Sequence, residues 1–184
     1  MKQGSYLLDT NCFVSAWQLY YRRSFAPAFW VHLASLVDKG TVVILDSVYN
    51  EVVTGDDDLS RFLKQYKPLV QKPDQNVLSA YAEVLQTVQI NIGKYYKETA
   101  LQSWSAKSVA DPWLIASAKV NNAIIVTQEE SAINNITAAH KAGNGSLMKS
   151  AKIPDVARMM GIQCINLYDF IETNGFQWVK NGNS

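Results

Sequence analysis

The sequence is poor in cysteine and histidine and carries almost no net charge. Its two cysteines, Cys12 and Cys164, lie far apart and supply no disulfide framework. Its two histidines, His32 and His140, are equally isolated, so neither a zinc site nor a Ser-His-Asp triad finds its parts. A formal charge of +1 over 184 residues gives no global field to attract a polyanion, and any grip on nucleic acid has to be local. Long hydrophobic runs are missing too. The longest, such as Val42 to Leu45, fall far short of the roughly 20 residues that cross a bilayer, and no membrane association is expected. No leader is read in Met1 to Gly4, which runs straight into a short apolar segment, so the expected location is a reducing cytoplasm.

What is present is a globular composition, 48% hydrophobic and 18% charged, without repeats or low-complexity stretches. It predicts one domain over residues 1–184 with a single substantial core. Tyr6-Leu7-Leu8, Val42 to Leu45 and Ile124-Ile125-Val126 are short apolar runs that read as buried strands, with Gln163 to Asn166 as a fourth. Helical patterns separate them. Pro27 to Val37 stops at Lys39-Gly40, and Ser47 reads as the N-cap of a helix carrying Glu51. Asp74 reads as the cap of a longer helix with Val77, Tyr81, Val84, Leu85 and Val88 on one stripe. Tyr95 to Trp104 is a further helical piece, and Asp111-Pro112 suits the first turn of another. Asn134 to Lys149, polar and centred on Gly143-Asn144-Gly145, reads as a surface loop or hairpin. Pro154-Asp155 opens a short helix ended by Gly161, and Leu167 to Glu172 forms the last helix. This alternation implies an α/β fold with a central, mainly parallel sheet, a helical insert over about residues 56–108 and a flexible tail over about residues 175–184.

In open parallel sheets the functional crevice lies beyond the carboxyl ends of the strands, where this reading places four acids. Asp9 ends the first strand, Glu51 lies in the helix after the second, Asp111 opens the helix leading into the third, and Glu129 follows the third. Any one of them has a plain explanation as a helix cap or a surface charge. Together, in one cleft, they would repel one another and raise their own pKa values, which calls for a cation. An all-oxygen donor set selects Mg²⁺ or Mn²⁺.

The residues around these acids resemble a known family. Leu7-Leu8-Asp9-Thr10-Asn11 is similar to the opening D-x-N signature of PIN domains. Glu51, within Val48-Tyr49-Asn50-Glu51, matches the second acid of that family, and Asp111, in Ala110-Asp111-Pro112-Trp113-Leu114-Ile115-Ala116, the third. Thr127-Gln128-Glu129 matches the fourth position, commonly Thr-x-Asp. Tyr20-Tyr21-Arg22 and Phe29-Trp30 resemble elements of one branch of the VapC-type toxins. Cys12 in place of an aliphatic residue, Glu129 in place of aspartate and the long insert depart from the pattern. The resemblance implies a three-layer α/β/α PIN-like fold and a metal-dependent endoribonuclease, the toxin of a toxin-antitoxin pair. Asp9 and Asp111 would be direct ligands of Mg²⁺ or Mn²⁺, with Glu51 and Glu129 as ligands or orienters of water. Asn11 and Thr127 would fix the carboxylates by hydrogen bonding. The implied partners are an RNA substrate, a cognate antitoxin and a second copy of the chain, with Trp17, Tyr20, Tyr21 and Trp30 as candidate exposed surfaces. A non-catalytic RNA- or protein-binding protein and a DNA-directed nuclease are the competing readings.

Arg22 and Arg23 beside Tyr20 and Tyr21, and Lys94 and Lys97 around Tyr95 and Tyr96, interleave basic and aromatic side chains as RNA-contacting surfaces do. A solvated helix face explains them equally well. Asp56-Asp57-Asp58 lacks the alternating ligands of a calcium loop and reads as a turn and helix start. Lys152 and Asp155 are accounted for as helix-start residues, the two histidines as structural, and the two cysteines as packed in or beside the core.

Overall fold

The computed structural model describes residues 4–106, 108–143 and 145–176. Four strands, β1 (Tyr6–Leu8), β2 (Val42–Val43), β3 (Ile124–Val126) and β4 (Cys164–Ile165), make one parallel sheet in the order β2-β1-β3-β4. Successive residues of β1 and β2 are all buried, as expected when helices cover both faces of a parallel sheet. The chain leaves β1 for β2 on one side and comes back to β3 on the other. The crevice beyond β1 and β3 is therefore the switch point of the sheet, the usual place for a site in such folds. Leu8 pairs with Val126, and the Asp9 N–H donates to the Val126 carbonyl at 2.9 Å, so the ladder runs one residue past β1.

β2 ends two residues earlier than its apolar run predicts. The Ile44 carbonyl accepts from the Gln71 N–H and the Gln71 carbonyl accepts from the Asp46 N–H, both at 2.9 Å, so the chain there pairs with the segment around Gln71. The helices are α1 (Thr10–Ser15), continued by a π-helical turn over Ala16–Tyr20, then α2 (Pro27–Asp38), α3 (Asp46–Val52), α4 (Asp58–Lys64) and α5 (Gln75–Gln89). They continue with α6 (Glu98–Trp104), α7 (Asp111–Asn121), α8 (Ile133–Lys141), α9 (Ile153–Met159) and α10 (Leu167–Thr173). Asp74 caps α5 by accepting from the Val77 N–H at 2.9 Å, and Asp57 caps α4 through the Ser60 N–H at 2.7 Å. Val77, Ala80, Val84 and Val88 of α5 and Trp104 of α6 join the strands and α7 in one hydrophobic cluster. The helical segment thus shares the core.

Four expectations are corrected. Ser47 is not the cap of α3: Leu45 takes the flanking extended conformation, Asp46 is the first helical residue, and the Ser47 hydroxyl is buried without a partner. α6 begins at Glu98 because Tyr95 and Tyr96 are held in a turn, with the Met148 N–H on the Tyr95 carbonyl at 2.8 Å and the Gly93 N–H on the Tyr96 carbonyl at 2.9 Å. The stretch read as a loop from Asn134 contains α8, with Ile133 buried beneath it and Gly143 just after it in the left-handed region at φ +77°. Trp30 is core rather than surface, 2% exposed, with its indole N–H donating to the Tyr21 carbonyl at 2.6 Å and its ring edge-on to Trp17 at 4.6 Å. Tyr21 stacks on Phe29 at 4.6 Å, so the Tyr-Tyr-Arg and Phe-Trp elements pack on each other. Tyr20 stays exposed.

Cys12 lies in the core with its thiol toward the Val126 carbonyl at 3.3 Å, and Cys164 is half-buried in β4. His32 meets the Asn174 carbonyl at 3.0 Å, while the side chain of His140 and the tail beyond residue 176 lie outside the described residues. Among the described residues no helix is long and apolar enough to cross a membrane.

Candidate active site

Asp9 stands one residue past β1 and is 3% exposed. Its Oδ2 accepts from the Thr127 hydroxyl at 2.9 Å, and the Asn11 backbone N–H also donates to it. Burial nonetheless pushes its carboxyl up to about 6, with the charges of Glu129 and Glu51 adding to the effect. Asp111 is the first residue of α7. Burial, then the charges of Asp9, Glu129 and Glu51, raise its carboxyl to about 7, and the Lys152 ammonium opposes the rise. Among the described residues it accepts no hydrogen bond. Half-buried, without donors and under the charge of three other acids, this carboxylate is costly to ionise unless a cation offsets it.

The two glutamates are held differently. Glu51, in the last turn of α3, accepts from the Thr10 hydroxyl on one oxygen and from the Ala110 N–H at 2.8 Å on the other. It ties the start of α1 to the start of α7. Glu129 accepts from the Lys152 ammonium at 2.6 Å and from the Ile153 N–H at 2.8 Å, at the start of α9. Both glutamates thus face helix N-termini, where unpaired N–H groups and the helix dipole favour an anion. The Thr127 hydroxyl joins the halves of the cluster, donating to Asp9 while accepting from the Glu129 N–H at 3.1 Å. Thr127→Val should cost about 10–100-fold in metal affinity or activity, as loss of a partner that orients a ligand usually does. Metal titration of the folded variant by calorimetry checks this, and unchanged affinity would remove Thr127 from the site.

A family model described as a domain of unknown function, DUF4411, matches residues 6–178. The chain belongs to the DUF4411 family. No curated protein matches it. Among solved structures, that of VapBC2 from Rickettsia felis bound to a DNA fragment from their promoter is similar at 15% identity, covering 88% of this chain and 97% of that one with a TM-score of 0.45.

In this DUF4411 chain the charges of Glu51 and Glu129 bear on both Asp9 and Asp111, and that of Asp9 on Asp111. The four acids are not packed into a closed cage: among the described residues no three His, Cys, Asp or Glu side chains converge to hold an ion. The donor set still fits Mg²⁺ or Mn²⁺, since Mg²⁺ is usually held by one or two carboxylates and completes its shell with water and phosphate oxygens. Asp9 and Asp111 are the carboxylates best placed for that role, and Glu51 and Glu129 are already engaged by protein donors. Asn11 contributes its backbone N–H, and its side chain is exposed.

Arg22, Arg23, Lys94 and Lys97 make no hydrogen bond or ion pair with the cluster. Arg22 and Arg23 line a separate groove with Trp17, Gln18 and Asp58, and Lys94 sits over the Tyr95 ring at 4.7 Å. The base that reaches the acids is Lys152, which local sequence reasoning set aside as a helix-start residue. Asp155 was set aside likewise. It is fully buried, accepting from the Ser131 hydroxyl and from the Ala132 N–H at 3.0 Å, and so caps the approach to α8 from another helix.

Proposed function

We propose that the chain is a metal-dependent endoribonuclease of the PIN type, working with Mg²⁺ or Mn²⁺ and forming the toxin half of a toxin-antitoxin pair. The observation that carries this reading is the placing of Asp9 and Asp111 at the switch point of a parallel sheet, Asp9 buried and held by Thr127, with the charges of Glu51 and Glu129 bearing on both. Bound there, the metal would supply Lewis-acid charge for the phosphate oxygens and a more acidic water. Asp9 and Asp111 hold the metal. Glu51 keeps the starts of α1 and α7 together, and Thr127 fixes the rotamer of Asp9. Lys152 offsets part of the acid charge and would be the cation nearest to hand for a phosphate at this cluster. Self-association and capture by an antitoxin belong to the same proposal, with the exposed Tyr20 and the partly buried Trp17 and Tyr21 as the surface available. Arg22, Arg23, Lys94 and Lys97 would contact RNA without touching the acids.

One observation favours a non-catalytic relative: both oxygens of each glutamate already have protein donors. Purified protein incubated with tRNA and total RNA in Mg²⁺, Mn²⁺ or chelator separates the readings. Cleavage that needs the metal and disappears with chelator is expected. RNA retained but uncut in both metals would leave the binding protein, and cleavage of single-stranded DNA instead would make it a DNA nuclease.

A further inference from the structure

A cavity of about 240 Å³ lies against the starts of α3 and α7, the helices that carry Glu51 and Asp111. Its walls include Leu45, Asp46, Ser47, Asn50, Trp113 and Ser117. Asn50 immediately precedes Glu51, and Trp113 follows Asp111 by two residues, so the cavity and the acids share two rigid elements. Trp113 is stacked on Tyr81 at 4.0 Å between ring centroids and 25° between planes. An indole held in this way loses little freedom when a second flat ring packs on it. Polar groups stand around the rim. Among the described residues the Ser47 hydroxyl is buried without a hydrogen-bond partner, and the Asn50 amide donates to Asp46 alone, at 3.1 Å. The volume is below the roughly 300–1,000 Å³ of pockets for drug-sized ligands, which suits a single small planar group. A neighbouring hollow of about 360 Å³ shares Leu45, Gln71 and Ser117 with it and carries Lys72, an ammonium for a phosphate.

We propose that this cavity is a nucleobase subsite: one base of a single RNA strand leaves the stack, packs on Trp113 and hydrogen-bonds through its edge to Asn50 and Ser47. The proposal rests on the nuclease reading and deepens it, because the cavity is built on the two helices that carry Glu51 and Asp111. A flat, aromatic wall with amide and hydroxyl groups is how proteins take splayed-out RNA bases. A lipid or aliphatic ligand would not use the polar rim, and a phosphate would not use the indole.

The test is nuclear magnetic resonance of the indole N–H signals with adenosine, guanosine, cytidine and uridine, the Trp113 signal being assigned from Trp113→Phe. Neutral nucleosides need neither metal nor cleavage, so the result is independent of the nuclease assay. Saturable movement of the Trp113 signal by at least one nucleoside, and none by ribose, is expected. A short oligoribonucleotide with one abasic residue should bind about tenfold more weakly than its parent, in line with the usual contribution of a stacked base. Asn50→Ala, at an exposed position, should reduce nucleoside affinity without loss of fold. A Trp113 signal unmoved by all four nucleosides, or equal affinity for the intact and abasic strands, overturns the subsite and leaves the nuclease reading standing. Nucleoside binding without any RNA cleavage would do the reverse.

Discussion

Asp9→Asn and Asp111→Asn are each expected to lower metal-dependent cleavage by on the order of a thousandfold, because a metal contributes several kcal/mol to the transition state and each variant would lose the charge of a proposed ligand. The same substitutions should stabilise the metal-free protein at neutral pH. In the folded chain the carboxyls titrate near about 6 and about 7, against an ordinary value of 3.8. Between those values the native state binds more protons than the unfolded one, so stability falls as pH rises through the window and stays low above it. The two groups interact, and at about 1.4 kcal/mol per pKa unit the loss is a few kcal/mol in all. Urea unfolding in chelator at about pH 5 and about pH 8 reads this directly, and either variant should flatten the difference. Saturating Mg²⁺ should restore stability to the wild type at the higher pH and do less for the variants. Wild-type cleavage by either variant at matched metal would dismiss the site.

The second large effect is on stability. Asp155→Ala should lower the melting temperature by about 10 °C, from roughly 3–5 kcal/mol of lost charge-assisted hydrogen bonding at about 2–4 °C per kcal/mol for a chain of this size. The carboxylate is fully buried and accepts from the Ser131 hydroxyl and the Ala132 N–H, so its removal leaves both donors without their partner, Ser131 at an exposed position and Ala132 at a half-buried one. Asp155→Asn keeps one acceptor oxygen and should fall between. Because Glu129 lies just before Ser131, and Lys152 and Ile153 just before Asp155, both variants should also loosen the donors around Glu129 and weaken metal binding. A change of less than about 2 °C by calorimetry for Asp155→Ala would show that α8 is held by other contacts.

The contrast between Asp9 and Asp155 shows what could be read in the sequence. Asp9 ends a run of buried residues and is followed by Asn11 at a spacing that signals its place, and the order of the four acids put each beyond a strand or at a helix start. Strands β1, β2 and β3 were legible from their apolar runs, although β2 closed early because Ile44 and Leu45 pair with Gln71, far along the chain. α8 was not. Asn134, Asn135 and Thr137 are poor helix formers, and what stabilises the start of the helix is a carboxylate from α9 that no local pattern reveals. Lys152 was missed for the same reason, since its partner Glu129 is 23 residues away. The basic pairs are a different case: their interleaving with tyrosines was visible, and the fold sets Arg22 and Arg23 along a groove with Trp17, Gln18 and Asp58 that the acids do not line.

Ala110 and Ile153 hold Glu51 and Glu129 by their backbone N–H groups alone. Their side chains take no part in those two contacts but are buried in the core, so either residue can be exchanged for another that fits its packing while the contact survives, provided each still starts its helix. Proline is the exception at both positions, for it has no N–H to give. Homologues with other apolar residues that pack at these two places could therefore preserve the same acid arrangement. A motif defined by residue type would miss that continuity, and a comparison of where helices begin relative to the glutamates would find it.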